Sequence, residues 1–148
     1  MKVDLKINPK ITEITVVIEA PKMTLELMTL MEMLEEGVES NSLLVSKKDD
    51  KMFIIKPDDV DIIRTEDGKV KLYNQQGQSY IMAKSLQDIF NQLSSNFVRI
   101  SKSTIVNISR VDHVSNSFSG TMYIMMKNGI DDYISRKFLG DFKNRLGI

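Results

Sequence analysis

Punctuation is what most constrains this chain. From residue 42 to residue 135, short apolar and β-branched runs alternate with turn-forming residues: "SLLVSKK" reaches Asp49 and Asp50, "KMFIIK" reaches Pro57, and "VDIIRT" leads to Asp67 and Gly68. "KVKLY" and "QSYIM" flank Gln76 and Gly77; farther on come "FVRIS", "VDHVS", "TMYIMMK" and "DDYIS", the last two around Asn128 and Gly129. Runs this short leave no room for helical periodicity, and the Gly, Asn and Asp residues between them tolerate the positive φ that tight hairpins need. The expectation is a β meander, with a type I′ turn at Asn128 and Gly129.

Helices belong to the remaining stretches. Thr24 is placed to cap a helix running to about Glu36, with Gly37 suited to its end. Within it Leu27, Leu30, Met31, Leu34 and Val38 recur at helical spacing, and Leu25, Met28 and Met33 widen the apolar surface beyond one stripe. Ser85 with Asp88 resembles a capping box ahead of Leu86, Ile89, Phe90 and Leu93, and Ser135 is placed to cap a last helix ending at Gly147. Ahead of the first helix "VDLKI" alternates and "ITEITVVIE" is β-branched, so both read as strands. The fold class is α+β and mostly β: a small strand-strand-helix segment over residues 1–48, followed by a multi-strand domain with short helices over residues 49–148.

Composition removes whole classes of chemistry. With no Cys and the single His113, disulfides, thiol catalysis, thiolate zinc sites and imidazole clusters are out of reach. The pairs Asp58 with Asp59 and Asp131 with Asp132 lie beside turns without a His partner. No catalytic residue, metal or cofactor is expected from them, and a carboxylate enzyme such as a glycoside hydrolase would need an acid pair assembled by folding. The longest apolar stretches, such as "ITVVI", fall far short of the ~20 residues that span a bilayer, and no apolar targeting segment opens the chain. A cytoplasmic protein without membrane insertion is expected.

The net charge is zero, but the charges are not evenly spread. Residues 1–50 hold six Lys against ten Asp and Glu, a balance of −4; residues 97–148 hold eight Lys and Arg against four Asp, a balance of +4. Much of the excess falls in "FVRISKSTIVNISR", where Arg99, Ser101, Lys102, Ser103, Asn107 and Arg110 are threaded through Val98, Ile100, Ile105, Val106 and Ile108. Alternation gives its first run a core side at Val98 and Ile100 and, on the other, Phe97 with Arg99 and Ser101 as a polar side; Lys102 and Ser103 fall where the strand leaves the sheet, in a loop anchored by Ile105, Val106 and Ile108. A loop offering a cation, hydroxyls and backbone N–H groups suits phosphate oxygens. "SRK" at 135–137 adds a helix start, which favours anions, while Arg136 and Lys137 oppose that helix's own dipole. This conflict becomes favourable when a polyanion sits there. Plainer readings stand beside these: Arg and Lys on β surfaces are commonly just solvated, Asn107 satisfies turn backbone, His113 is a surface or structural residue, and "KKDDK" is a hairpin tip.

The pattern "IIRTEDGKVKLYNQQGQSYIMAKSLQDIFNQL", then "FVRISKSTIVNISRVDHV", "GTMYIMMKNG" and "ISRKFLGDFKNRLG", resembles the LytTR family of bacterial DNA-binding domains over about residues 50–147. The whole chain resembles the family's short stand-alone members, whose small N-terminal segment replaces a phosphoacceptor receiver. The resemblance implies a β fold whose connecting loops, rather than a recognition helix, enter successive major grooves of double-stranded DNA. Lys69 stands near one contacting position, Ser101, Lys102 and Ser103 match a second, and Arg136 matches a third. Base-edge geometry then selects Arg136 to read guanine, with Lys102 next, and assigns Arg99, Ser101, Ser103 and Lys137 to phosphates. Where family members often carry "HRS" or "HNS", this chain has Ser101, Lys102 and Ser103, so an imidazole contact is missing and a different preferred sequence is expected. A neutral chain neutralises few phosphates, so a homodimer on repeated promoter half-sites is expected, joined through the apolar N-terminal helix. The rival reading is a protein-interaction or sensor module in which that helix meets a protein partner and the basic loops are incidental.

Overall fold

The computed structural model describes residues 1–36 and 43–148. Gly37 and Val38, expected to end and extend the first helix, lie outside the described residues. In chain order the elements are α1 (Leu25–Glu36), β1 (Leu44–Lys48), β2 (Lys51–Ile55), β3 (Val60–Glu66), β4 (Lys69–Asn74), β5 (Ser79–Met82) and α2 (Leu86–Gln92). They continue with β6 (Phe97–Ser101), β7 (Thr104–Asn107), β8 (Val111–Asn116), β9 (Met122–Met126), β10 (Asp131–Ile134) and α3 (Arg136–Leu146). The α+β, mostly β fold read from the sequence is what forms.

A seven-stranded antiparallel sheet runs in the order β2-β1-β5-β4-β3-β7-β6, and a three-stranded sheet runs β10-β9-β8. Its strands β3, β7 and β6 in the larger sheet are buried on both faces, whereas β2, β1 and β5 leave Val45, Met52, Ile54 and Ile81 exposed on one. Leu44, Ile63, Leu72, Phe97 and Ile105 pack with Leu86, Ile89 and Leu93 of the α2 region. Ile62, Val98, Ile100 and Val106 point the other way, against Met122, Ile124 and Met126 of the smaller sheet and Phe142 of α3. Neighbouring residues such as Ile62 and Ile63, or Ile105 and Val106, therefore serve opposite cores, as the period-2 alternation of a strand demands. Doubly covered strands show continuous apolar runs instead of a polar-apolar alternation.

Three expectations are corrected by this architecture. "TIVN", read as a loop anchor, is strand β7, fully buried between β3 and β6. β6 is not polar on one side, because Phe97 is buried in the α2 core while Val98 and Ile100 fill the other. The meander is broken as well: β1 and β2 form a hairpin that joins β5, and β7 pairs with β3 with β6 beyond it at the sheet edge. The first strand of this sheet is β1, from Leu44.

Residues 1–24 form none of the ladder hydrogen bonds expected of two strands, although α1 forms with Leu27 N–H donating to Thr24 Oγ1 at 3.1 Å. β-branched alternation supplies propensity, but a strand exists only where a neighbour accepts its backbone groups. The turn at Asn128 and Gly129 is also not type I′. Only Gly129 has positive φ, at 87°, and its N–H donates to Met126 O while Met126 N–H donates to Ile130 O, the pattern of a three-residue loop closed by a glycine bulge. Asp49 and Asp50, at φ 51° and 60°, adopt the doubly positive pair instead.

Candidate nucleic-acid interface

Three turns far apart in sequence meet at one end of the molecule. β3 and β4 are joined by Asp67 and Gly68, with φ of 51° and 74°. β6 and β7 are joined by Lys102 and Ser103, with Ser101 opposite Thr104. Neither Lys102 nor Ser103 takes a positive φ; a register shift between Arg99 and Ser101 absorbs the strand twist, and Ser103 N–H donates to Ser101 Oγ at 3.2 Å. The third turn is the junction of β10 and α3 at Ser135.

Backbone hydrogen bonds stitch the three together. Thr65 N–H donates to Ser103 O at 2.9 Å, fixing the first turn to the second, and Ser135 N–H donates to Ile100 O at 2.9 Å, fixing the third to the second. Side chains reinforce the same seam: Thr104 Oγ1 donates to Asp132 Oδ2 at 3.0 Å, and Arg64 Nη1 donates to Asp131 O at 2.9 Å. The Asp132 carboxylate is thereby spent on joining the two sheets, while that of Asp131 accepts from the Tyr123 hydroxyl at 2.9 Å within the smaller one.

Lys69, Lys102, Ser103, Arg136 and Lys137 are exposed on these turns, and Ser101 is half-buried beneath them. Among the described residues, none of the four cations is held in an ion pair. α3 opens with Arg136 and Lys137 and has no acidic residue in its first turn, and Ser135, at the N-cap, makes no side-chain cap hydrogen bond. The helix start therefore adds unneutralised cations to the positive end of a dipole, a local arrangement that an anion relieves.

Arg99, expected to hold phosphate, is engaged by protein groups. Its Nη1 donates to Gln87 Oε1 at 2.6 Å, its Nη2 donates to Lys102 O at 2.7 Å, and its guanidinium lies 6.0 Å from the Phe90 ring centroid. Both terminal nitrogens are thus engaged in bracing the turn that carries Lys102 against α2. Arg110, from the same basic segment, is engaged elsewhere: its Nε donates to Oδ1 of the fully buried Asp61 at 2.7 Å, and Asp61 Oδ2 accepts from Asn128 N–H at 3.0 Å. Asn107 satisfies backbone, donating to Val60 O at 3.0 Å and accepting from Ser109 N–H at 3.1 Å. Sequence could not separate these inward Arg residues from the outward ones, because their acceptors lie at Gln87 and Asp61, outside the segment.

Behind the first turn Glu66 gathers Arg64, Lys71 and the Tyr73 hydroxyl. Burial of the Glu66 carboxyl works against ionisation, but the Tyr73 hydroxyl, the Arg64 guanidinium and Lys71 outweigh it and hold the carboxyl below its ordinary value. The cluster keeps the β3–β4 hairpin rigid where it carries Lys69 and leaves little free negative charge from Glu66 at the rim.

Comparison with known proteins gives the family and the fold. Residues 50–147 match the model of the LytTr DNA-binding domain family. A LytTr DNA-binding domain of a methyl-accepting/DNA response regulator from Bacillus cereus superposes with a TM-score of 0.68 at 22% identity, covering 73% of this chain and 99% of that one. An HTH-type transcriptional regulator of Staphylococcus aureus strain MSSA476 is 30% identical over 148 residues, spanning 100% of this chain and 99% of its own length. The sensory transduction protein LytT of Enterococcus faecalis is 24% identical over 115 residues, and this chain covers 47% of its length.

A mostly β scaffold presenting basic turns at one end is the class that these features define. The chain belongs to the LytTr DNA-binding domain family. Despite the "HTH-type" name of its relative, α1, α2 and α3 are each separated by strands, so none forms a helix-turn-helix pair with another.

Proposed function

We propose that this chain is a transcriptional regulator that binds duplex DNA sequence-specifically, without enzymatic activity, by inserting its basic turns into the major groove. The observation that carries this reading is the pair of backbone hydrogen bonds, Thr65 to Ser103 and Ser135 to Ile100, which hold the turns bearing Lys69, Lys102 and Arg136 on one rim. Arg136 is the residue for guanine, since its fork matches the two acceptors on that base's major-groove edge. Lys69, Lys102, Ser101, Ser103 and Lys137 hold phosphates, with Lys102 within reach of a base edge; Arg99 positions the Lys102 turn rather than touching DNA.

Two copies act together. Leu25, Met28, Met31, Met33 and Leu34 of α1 are exposed, an apolar surface larger than a solvated helix carries by chance. Association through α1 supplies the second set of turns that a neutral chain needs for useful affinity on repeated half-sites. The same surface is what favours the rival, a protein partner at residues 1–48. Selection of bound fragments from random duplex DNA tests the reading: an enriched motif in two spaced copies, bound less tightly as salt rises, is expected. Failure to enrich any motif, with the chain instead capturing a protein through α1, would leave the rival standing.

A further inference from the structure

A fourth turn stands at the same end of the molecule, and neither composition nor motif draws attention to it. β8 and β9 pair with Asn116 opposite Met122, and β10 pairs with β9 so that Ile134 also lies opposite Met122. The connection between β8 and β9 thus emerges beside Ser135, at the start of α3. Its sequence, "SFSG" at 117–120, carries Phe118 at 92% exposure, far beyond what a Phe in a folded domain ordinarily leaves in water.

The turn holds its shape. Thr121 N–H and Thr121 Oγ1 both donate to Phe118 O, at 3.3 and 2.8 Å, and Ser117 N–H donates to Thr121 O at 3.1 Å. It is also tied to the proposed guanine reader. A Cβ at Gly120 would lie 3.1 Å from Arg136 Cδ and 3.5 Å from its Cγ, so the aliphatic stem of Arg136 runs across the glycine. Gly120 has φ +74°, so both its backbone and its neighbour call for the absence of a side chain. The turn that carries Phe118 and the stem that carries the Arg136 guanidinium therefore form one packed unit.

That pairing has a natural partner on a base-pair edge. In the major groove guanine offers two acceptors to Arg, and thymine offers a methyl group, the one apolar feature there. We infer that Phe118 is a specificity-determining contact, packing its ring on the methyl of a thymine next to the base read by Arg136. The inference rests on the DNA-binding reading above and adds a fourth turn to it. Burying a methyl against an aromatic ring desolvates both without requiring any hydrogen bond, so it discriminates thymine from the other bases while adding little affinity for random DNA.

The test uses the full chain on its selected duplex, with each thymine replaced in turn by uracil, which deletes only the methyl. One replacement is expected to weaken parent binding about fivefold and to leave Phe118→Ala unaffected, while Phe118→Ala weakens binding to the unmodified duplex by a similar factor. Phe118→Leu, which keeps apolar contact, is expected to recover part of the loss. Because the side chain is exposed, Phe118→Ala should unfold at the same temperature as the parent. Specific binding by the parent together with an unchanged affinity of Phe118→Ala would overturn the inference while sparing the DNA-binding reading. So would a loss in Phe118→Ala that persists undiminished on every uracil duplex. A parent without specific DNA binding would overturn both.

Discussion

The amide of Ser135 donates to the carbonyl of Ile100 at 2.9 Å, across a chain separation that no local pattern announces. This bond sets the first residues of α3 against the end of β6. It brings the helix start that carries Arg136 to the end of the strand that leads into the Lys102 turn.

Arg136 and Lys102 should therefore be distinguishable by how they fail. Arg136→Ala is expected to lose about 1–3 kcal/mol of specific binding and to relax selectivity at one base position. Lys102→Ala is expected to weaken specific and random duplexes more evenly and to reduce the salt slope by about one. Titrations of both variants against selected and scrambled duplexes at several salt concentrations check this; parent-like affinity in both variants would end the assignment.

On the proposed reading Arg99 acts through its neighbours. Arg99→Lys keeps the charge but cannot reach Gln87 Oε1 and Lys102 O with a planar fork. Specific binding should fall although no phosphate contact is removed, and Gln87→Ala should reproduce part of the loss. Amide exchange at residues 101–103 is the discriminating readout: faster exchange in Arg99→Lys is expected, and unchanged exchange would return Arg99 to direct contact.

Asp61 is buried with Arg110 and the Asn128 amide as its partners, so it clamps β3 to the β9–β10 turn. Asp61→Ala should cost about 2–4 kcal/mol, because the amide loses its acceptor while the partly exposed Arg110 can turn to water. Asp61→Asn, which keeps one acceptor, should cost less. Chemical denaturation of the two variants measures both.

Glu66 makes stability depend on acid. Its carboxyl is held below the ordinary 4.5, so its contribution is full above that pH and is lost as the pH falls through the lowered native value. Glu66→Gln should therefore lower the melting temperature at neutral pH and flatten its fall between about pH 5 and the acid limit. A parent and variant with parallel pH profiles would show that the cluster carries no net stability.

If α1 joins two copies, Met31→Glu should yield a monomer without disturbing the β fold, because Met31 is already exposed at 40%. Sedimentation reports the first effect and circular dichroism the second. Binding to a two-half-site duplex should drop toward that of a single half-site. An unchanged sedimentation coefficient in a dimeric parent would place the interface elsewhere.

The sequence by itself determined the elements with strong local signals. Turn residues marked most strand ends, Ser85 and Asp88 opened α2 with the expected N–H to hydroxyl bond at 3.2 Å, and Gly147 closed α3 in the left-handed region. It also singled out the basic turns, because Lys102, Ser103, Arg136 and Lys137 are conspicuous among apolar neighbours. Tertiary structure alone decided what had no local signature. "TIVN" became a central strand because β3 and β6 offered it hydrogen bonds on both sides, while "ITEITVVIE", with stronger propensity, found no such neighbour among the described residues. Arg99 and Arg110 turned inward because Gln87 and Asp61 waited there, and the turn carrying Phe118 came to lie against the Arg136 stem at Gly120 through the pairing of β8, β9 and β10. Propensity and turn chemistry act over a few residues, whereas backbone pairing and buried charge are satisfied only by groups that folding brings together.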